Sequence, residues 1–157
     1  MKGQFFALSF FISAEVNMDD TGHHYVIDII SKDVEFLKDE TLLTHSFEKI
    51  LRLSHFHIIG RLVYKFQSGG EGVTGIFLLS ESHLSFHTYP ETGYISIDLY
   101  TCGKHAVNLS RDIEAIFNNP TKFRSRYIER GSTFLAKTNP FFTSSTVVLE
   151  DNRNETH

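Results

Sequence analysis

Between Val73 and Gly103 the chain reads VTGIFLLSESHLSFHTYPETGYISIDLYTCG, a block holding a serine after an acidic residue, several histidines and the only cysteine. Ser82 follows Glu81, His87 stands five residues further on, and Cys102 twenty. A hydroxyl becomes a nucleophile when a neighbouring base takes its proton and a donor holds the resulting oxyanion. A thiol can serve as a general acid when its pKa suits neutral pH. Taken singly, each residue has a plainer reading. Cys102 alone is an inert buried residue, and His87 alone belongs to core or surface. Ser82 and Thr74 alone are ordinary strand or turn residues, and Glu91 after Pro90 is a solvated turn residue.

The joint spacing reverses those readings, because the block resembles the signature region of the prokaryotic S-adenosylmethionine decarboxylases, which are pyruvoyl-dependent and self-processing. That pattern has E-S-H, here 81–83, then H-T-W/Y-P-E, here 87–91, then a strand ending in T-C-G, here 101–103. The resemblance implies that Ser82 attacks the Glu81 carbonyl and turns the peptide bond into an ester. Elimination then cuts the chain, and a pyruvoyl group made from Ser82 remains at the new N-terminus. It also implies that His87 and Thr74 assist this processing. The keto group condenses with the substrate's α-amine as a Schiff base, the conjugated carbonyl draws off the electrons freed with carbon dioxide, and Cys102 returns the proton.

For the substrate, the resemblance implies that Glu91 holds the ribose hydroxyls, while Tyr89 and Phe66 offer rings to adenine and the sulfonium. The family runs from such a phenylalanine through a proline-containing loop to G-V-S/T-G. Here Phe66-Gln67-Ser68-Gly69-Gly70-Glu71-Gly72 is longer and has no proline. The leading expectation is therefore decarboxylation of S-adenosylmethionine for spermidine synthesis. The alternatives are a pyruvoyl-dependent arginine or ornithine decarboxylase on the same scaffold, and a non-processing regulatory or binding homologue. Gly70-Glu71-Gly72-Val73-Thr74-Gly75 also fits the G-x-G-x-x-G pattern of dinucleotide loops. A strand rather than a helix follows it, so no helix N-terminus faces a pyrophosphate.

The elements that position these residues follow from periodicity. Tyr25–Ile30 is rich in β-branched residues and reads as a strand. From Val34 to Leu53, Leu43, Phe47, Ile50 and Leu51 form the stripe of an amphipathic helix. Phe56–Phe66 and Val73–Leu79 form one hairpin; Leu84–Phe86 and Tyr94–Tyr100 form another around Pro90-Glu91-Thr92-Gly93. Asn108 or Ser110 caps a short helix through Phe117, ended by Asn118-Asn119-Pro120, and a strand follows over Phe123–Ile128. This order describes an α+β two-layer sandwich, a largely antiparallel sheet with helices on one face. The uncovered face predicts a homodimer, and the family resemblance, which extends loosely from His23 to Ile128, implies the same.

With 157 residues, 41% hydrophobic, the chain suits one domain burying roughly 70% of its unfolded surface. A formal charge of −4 without a long basic run argues against a nucleic-acid partner. The single cysteine fits a cytoplasmic protein independent of disulfides. No metal is expected. Phe5-Phe6-Ala7-Leu8-Ser9-Phe10-Phe11-Ile12 has the outline of a signal peptide, yet its apolar run is far short of the roughly 20 residues of a membrane span. It reads as part of an N-terminal extension over 1–22. The decarboxylase domain then covers 23–150, with Phe141-Phe142 and Val147–Leu149 packing on its body, and 151–157 form a polar tail.

Overall fold

The computed structural model describes residues 20–102, 106–137 and 147–149. The signal-like stretch, Phe141-Phe142 and the polar tail lie outside them. Seven strands form one sheet in the order β2-β3-β4-β5-β1-β6-β7, every neighbouring pair antiparallel. They are β1 (Gly22–Ile30), β2 (Ile58–Lys65), β3 (Val73–Leu79), β4 (Ser82–Tyr89), β5 (Tyr94–Cys102), β6 (Lys122–Arg130) and β7 (Val147–Leu149). The two expected hairpins are joined through a third pairing, β3 with β4, into a meander of four strands. β4 is longer than Leu84–Phe86 and begins at Ser82 itself.

The helix expected over Val34–Leu53 is two helices, α1 (Val34–Lys38) and α2 (Glu40–Leu53). Asp39 divides them. Its backbone is extended, its carboxylate accepts from the Thr41 and Leu42 amides at 3.0 and 2.9 Å, and its own amide donates to the Phe36 carbonyl. A short acid satisfies the orphan amides of a helix start better than it propagates a helix. α3 (Ser110–Ile116) ends as expected at Phe117, and α4 (Ser132–Lys137), which the periodicity did not suggest, packs against β6.

Leu43, Phe47 and Leu51 of α2 are fully buried against alternate residues of the sheet, among them Phe77, Leu84, Ile97 and Leu99. Phe47 stacks on Phe86 with ring centroids 4.7 Å apart. Among the described residues no helix covers the other face of the sheet. Exposed there are Leu62, Tyr64, Ile76 and Leu78 of β2 and β3. Across β1, β5 and β6 it is polar instead, with Asp28 bound by the Tyr94 hydroxyl at 2.7 Å and the Arg124 guanidinium at 2.9 Å. Among the described residues no helix is long and apolar enough to cross a membrane.

Removal of the central ring should be costly, since the cavity adds to the lost transfer energy. Phe47→Ala is expected to destabilise the fold by about 3–5 kcal/mol in urea unfolding. A loss below about 1 kcal/mol would contradict the packing of α2 on the sheet.

Candidate functional site

Leu79 pairs with Ser82, so Ser80 and Glu81 make a two-residue turn between β3 and β4. Such turns favour residues that accept positive φ, usually glycine or asparagine. Neither is present, and the positive φ falls on Ser82, at 141°. That conformation costs a non-glycine residue on the order of 1–3 kcal/mol. Ser82 Oγ lies 3.1 Å from His83 Nδ1. On the next strand Thr101 faces Ser82, and one step beyond, the Cys102 amide donates to the Glu81 carbonyl at 2.9 Å. Cys102 is exposed, which removes its reading as an inert core residue. Thr101 Oγ1 is buried and has no hydrogen-bond partner among the described residues.

The Glu81 side chain is held by a residue the sequence did not single out. His57 Nδ1 lies 2.8 Å from one carboxylate oxygen, and the His57 amide donates to the other at 3.2 Å. Burial alone would push this carboxyl up. Hydrogen bonds from the His57 ring and amide, from its own amide and from the Ser80 hydroxyl outweigh burial and hold it below the usual range. No local spacing links two residues 24 apart. The available signal was the β2–β3 hairpin, whose pairing continues outward until the Ser80 amide reaches the His57 carbonyl.

A second cluster sits at the other end of β4. Thr74 pairs across the strands with His87, and its hydroxyl shares a hydrogen bond with His87 Nδ1. The His87 ring meets Tyr89 edge-on at 4.4 Å and Phe66 at 5.8 Å, and Tyr89 stacks on Tyr94. Glu91 stands in a single helical turn, Pro90–Thr92, closed by Gly93 at φ 67°, and its carboxylate lies against Gly70. Phe66, Thr74 and Tyr89 are thus brought together around His87, and Glu91 stands two residues beyond Tyr89 against the loop that follows Phe66. Glu81, Ser82 and Cys102 form a separate group. The five residues from Ser82 to His87 along an extended strand separate the two groups by about 16 Å, so one chain alone does not join them.

An antiparallel sheet with helices on one face, carrying a serine at a strained turn and a cysteine on the neighbouring strand, is the framework that the resemblance to pyruvoyl-dependent decarboxylases calls for. The profile described as S-adenosylmethionine decarboxylase matches residues 23–131. The chain belongs to that family. It is 32% identical over 110 residues to the S-adenosylmethionine decarboxylase proenzyme of Pyrococcus furiosus, covering 70% of this chain and 75% of the relative. It is 35% identical over 113 residues to the proenzyme of Picrophilus torridus, covering 71% and 85%. The crystal structure of the adenosylmethionine decarboxylase from Aquifex aeolicus superposes with a TM-score of 0.63 at 30% identity, covering 72% of this chain and 92% of the other.

The depressed Glu81 carboxyl stabilises the fold above its ordinary pKa, and this contribution is lost as pH falls through the lowered value. His57→Ala should move the Glu81 titration upward, read from the side-chain carboxyl NMR shift. An unmoved titration would remove His57 as its cause.

Proposed function

We propose that this chain cuts itself between Glu81 and Ser82 and decarboxylates S-adenosylmethionine with the pyruvoyl group so formed, supplying the aminopropyl donor for spermidine synthesis. The reading rests above all on the Glu81 carbonyl, which already accepts the Cys102 amide beside a strained serine. As Ser82 Oγ attacks that carbonyl, the same amide is aimed at the oxyanion. Collapse breaks the Glu81–Ser82 amide and leaves an ester to Oγ. Loss of the Ser82 Cα proton expels Glu81 as a carboxylate, and the dehydroalanine left behind hydrolyses with one water to ammonia and a pyruvoyl group. The buried Thr101 hydroxyl, without a partner opposite Ser82, fits a site in which a new carbonyl must be held.

His87 and Thr74 are the remaining processing residues, and their distance from Ser82 supports a homodimer. A two-fold axis near the middle of β4, with open sheet faces together, sets Ser82 of one chain opposite His87 of its partner. An isologous interface then makes two equal sites. Exposed Leu62, Tyr64, Ile76 and Leu78 on that face support the same arrangement. Once formed, the pyruvoyl group supplies the electron sink for loss of carbon dioxide. Cys102 hands a proton to the substrate Cα. Glu91 accepts hydrogen bonds from the ribose hydroxyls, and Phe66 and Tyr89 pack on adenine and the sulfonium.

Ser82→Ala should run on a denaturing gel as one intact band, and the wild type as two. Cys102→Ala should still cut, with kcat down by about a hundredfold; full activity would end its role as proton donor. For the shared site, Ser82→Ala and His87→Ala chains are each expected to stay uncut alone. Coexpressed with distinguishable tags, the His87→Ala chain should become cut while the Ser82→Ala chain does not. Two uncut chains would count against sites shared between protomers.

A further inference from the structure

The glycine-rich run before β3 leads into a strand rather than a helix, and within it Gly70 lies against Glu91. Gly70 adopts φ +100°, and a Cβ there would fall on Oε2 of Glu91, with the carboxyl carbon only 3.0 Å away. Gly69, one residue earlier, has φ +72° and open space around it. The loop is tethered on both sides of this contact. Glu71 reaches Lys38 at 3.7 Å and Lys65 at 3.6 Å, and the Phe66 amide donates to the Gly72 carbonyl at 2.8 Å. Among the described residues the Glu91 carboxylate makes no hydrogen bond or ion pair, so both its oxygens are available to a ligand.

We propose that Gly70 is a specificity-determining residue: the side chain it lacks leaves the slot in which the Glu91 carboxylate sits, and Glu71 is the positioning residue that keeps the loop there. The inference rests on the reading of Glu91 as the acceptor for the ribose. A carboxylate seated this way offers two acceptor oxygens to a vicinal diol, each hydroxyl donating to one. A side chain at position 70 pushes the carboxylate out of the slot and weakens recognition of the nucleoside, while Ser82, at the far end of β4, and Cys102, at the end of β5, keep their geometry. Selection between a nucleoside substrate and a plain amino acid thus lies partly in an atom that is absent.

The test measures self-cutting, kcat and KM for S-adenosylmethionine and for its 2′-deoxyribose analogue. Glu91→Gln and Gly70→Ala should each raise KM for S-adenosylmethionine about tenfold with cutting and kcat preserved, and the double variant should rise no further than either. Neither substitution should shift KM for the analogue as much. Gly69→Ala imposes the same kind of backbone penalty without touching Glu91 and should leave KM unchanged. If Glu91→Gln leaves KM unchanged, the ribose role of Glu91 fails, and this inference with it. If Glu91→Gln raises KM and Gly70→Ala does not, or if Gly69→Ala raises it equally, the ribose role stands and the slot is overturned. Glu71→Gln keeps every glycine and should raise the same KM about threefold through loss of the tether. Should Gly70→Ala not fold, an unchanged KM in Glu71→Gln overturns the proposal.

Discussion

The Cys102 amide reaches the Glu81 carbonyl only because β4 and β5 are paired in one register, from Tyr89 opposite Tyr94 to Ser82 opposite Thr101. A slip of one residue would turn every side chain of β4 to the other face, sending His87 into the core and Phe86 out of it. The register is fixed from both sides. Leu84, Phe86, Ile95, Ile97 and Leu99 point into the core beneath α2. At the turn, Gly93 takes a left-handed conformation and accepts the Ser31 amide at 2.8 Å; a Cβ there would strike the Ser31 carbonyl. Apolar packing at one level thereby sets a hydrogen bond at another, the one on which the proposed self-cutting rests.

The same register explains why strain collects at Ser82. The β3–β4 turn has two residues, and neither Ser80 nor Glu81 takes the positive φ that such a turn needs. Strand pairing on both sides of Ser82 and the His57 contacts on Glu81 leave the chain little freedom to relax elsewhere. A penalty on the order of 1–3 kcal/mol is large beside a domain's total stability of about 5–15 kcal/mol.

Much of this was legible in the residues. Alternation marked the strands, and the spacing of Leu43, Phe47 and Leu51 marked the helix that covers them. The block from Val73 to Gly103 marked the family. The break at Asp39 was not legible, because apolar periodicity runs through it, and only the side-chain cap shows that two helices are better satisfied than one. Contacts between residues distant in sequence were also out of reach. His57 beside Glu81 depends on how far the β2–β3 pairing extends, and Glu91 against Gly70 depends on where two loops of different strands meet. Spacing along β4 suggested that Ser82 and His87 act together. In three dimensions that same spacing sets them apart, since five residues make a long distance in a strand.

The open face bears on how those ends could meet. Its β2–β3 part is apolar, while its β1–β5–β6 part carries charges that are largely paired within the chain: His24 with Asp98 at 3.1 Å, and Asp28 with Arg124. Hydrogen bonds from Tyr94 and Arg124 and the charges of Arg124 and Arg126 hold the Asp28 carboxyl below its usual range, although burial alone would raise it. The same contact, together with burial, pushes the Tyr94 hydroxyl up to about 12. Unpaired charges resist burial far more than paired ones. Asp28 is thus satisfied within the chain, whereas Arg126 Nε on the same face is buried without a hydrogen-bond partner among the described residues. In the two-fold arrangement proposed for the site, the apolar half would supply attraction and the polar half register.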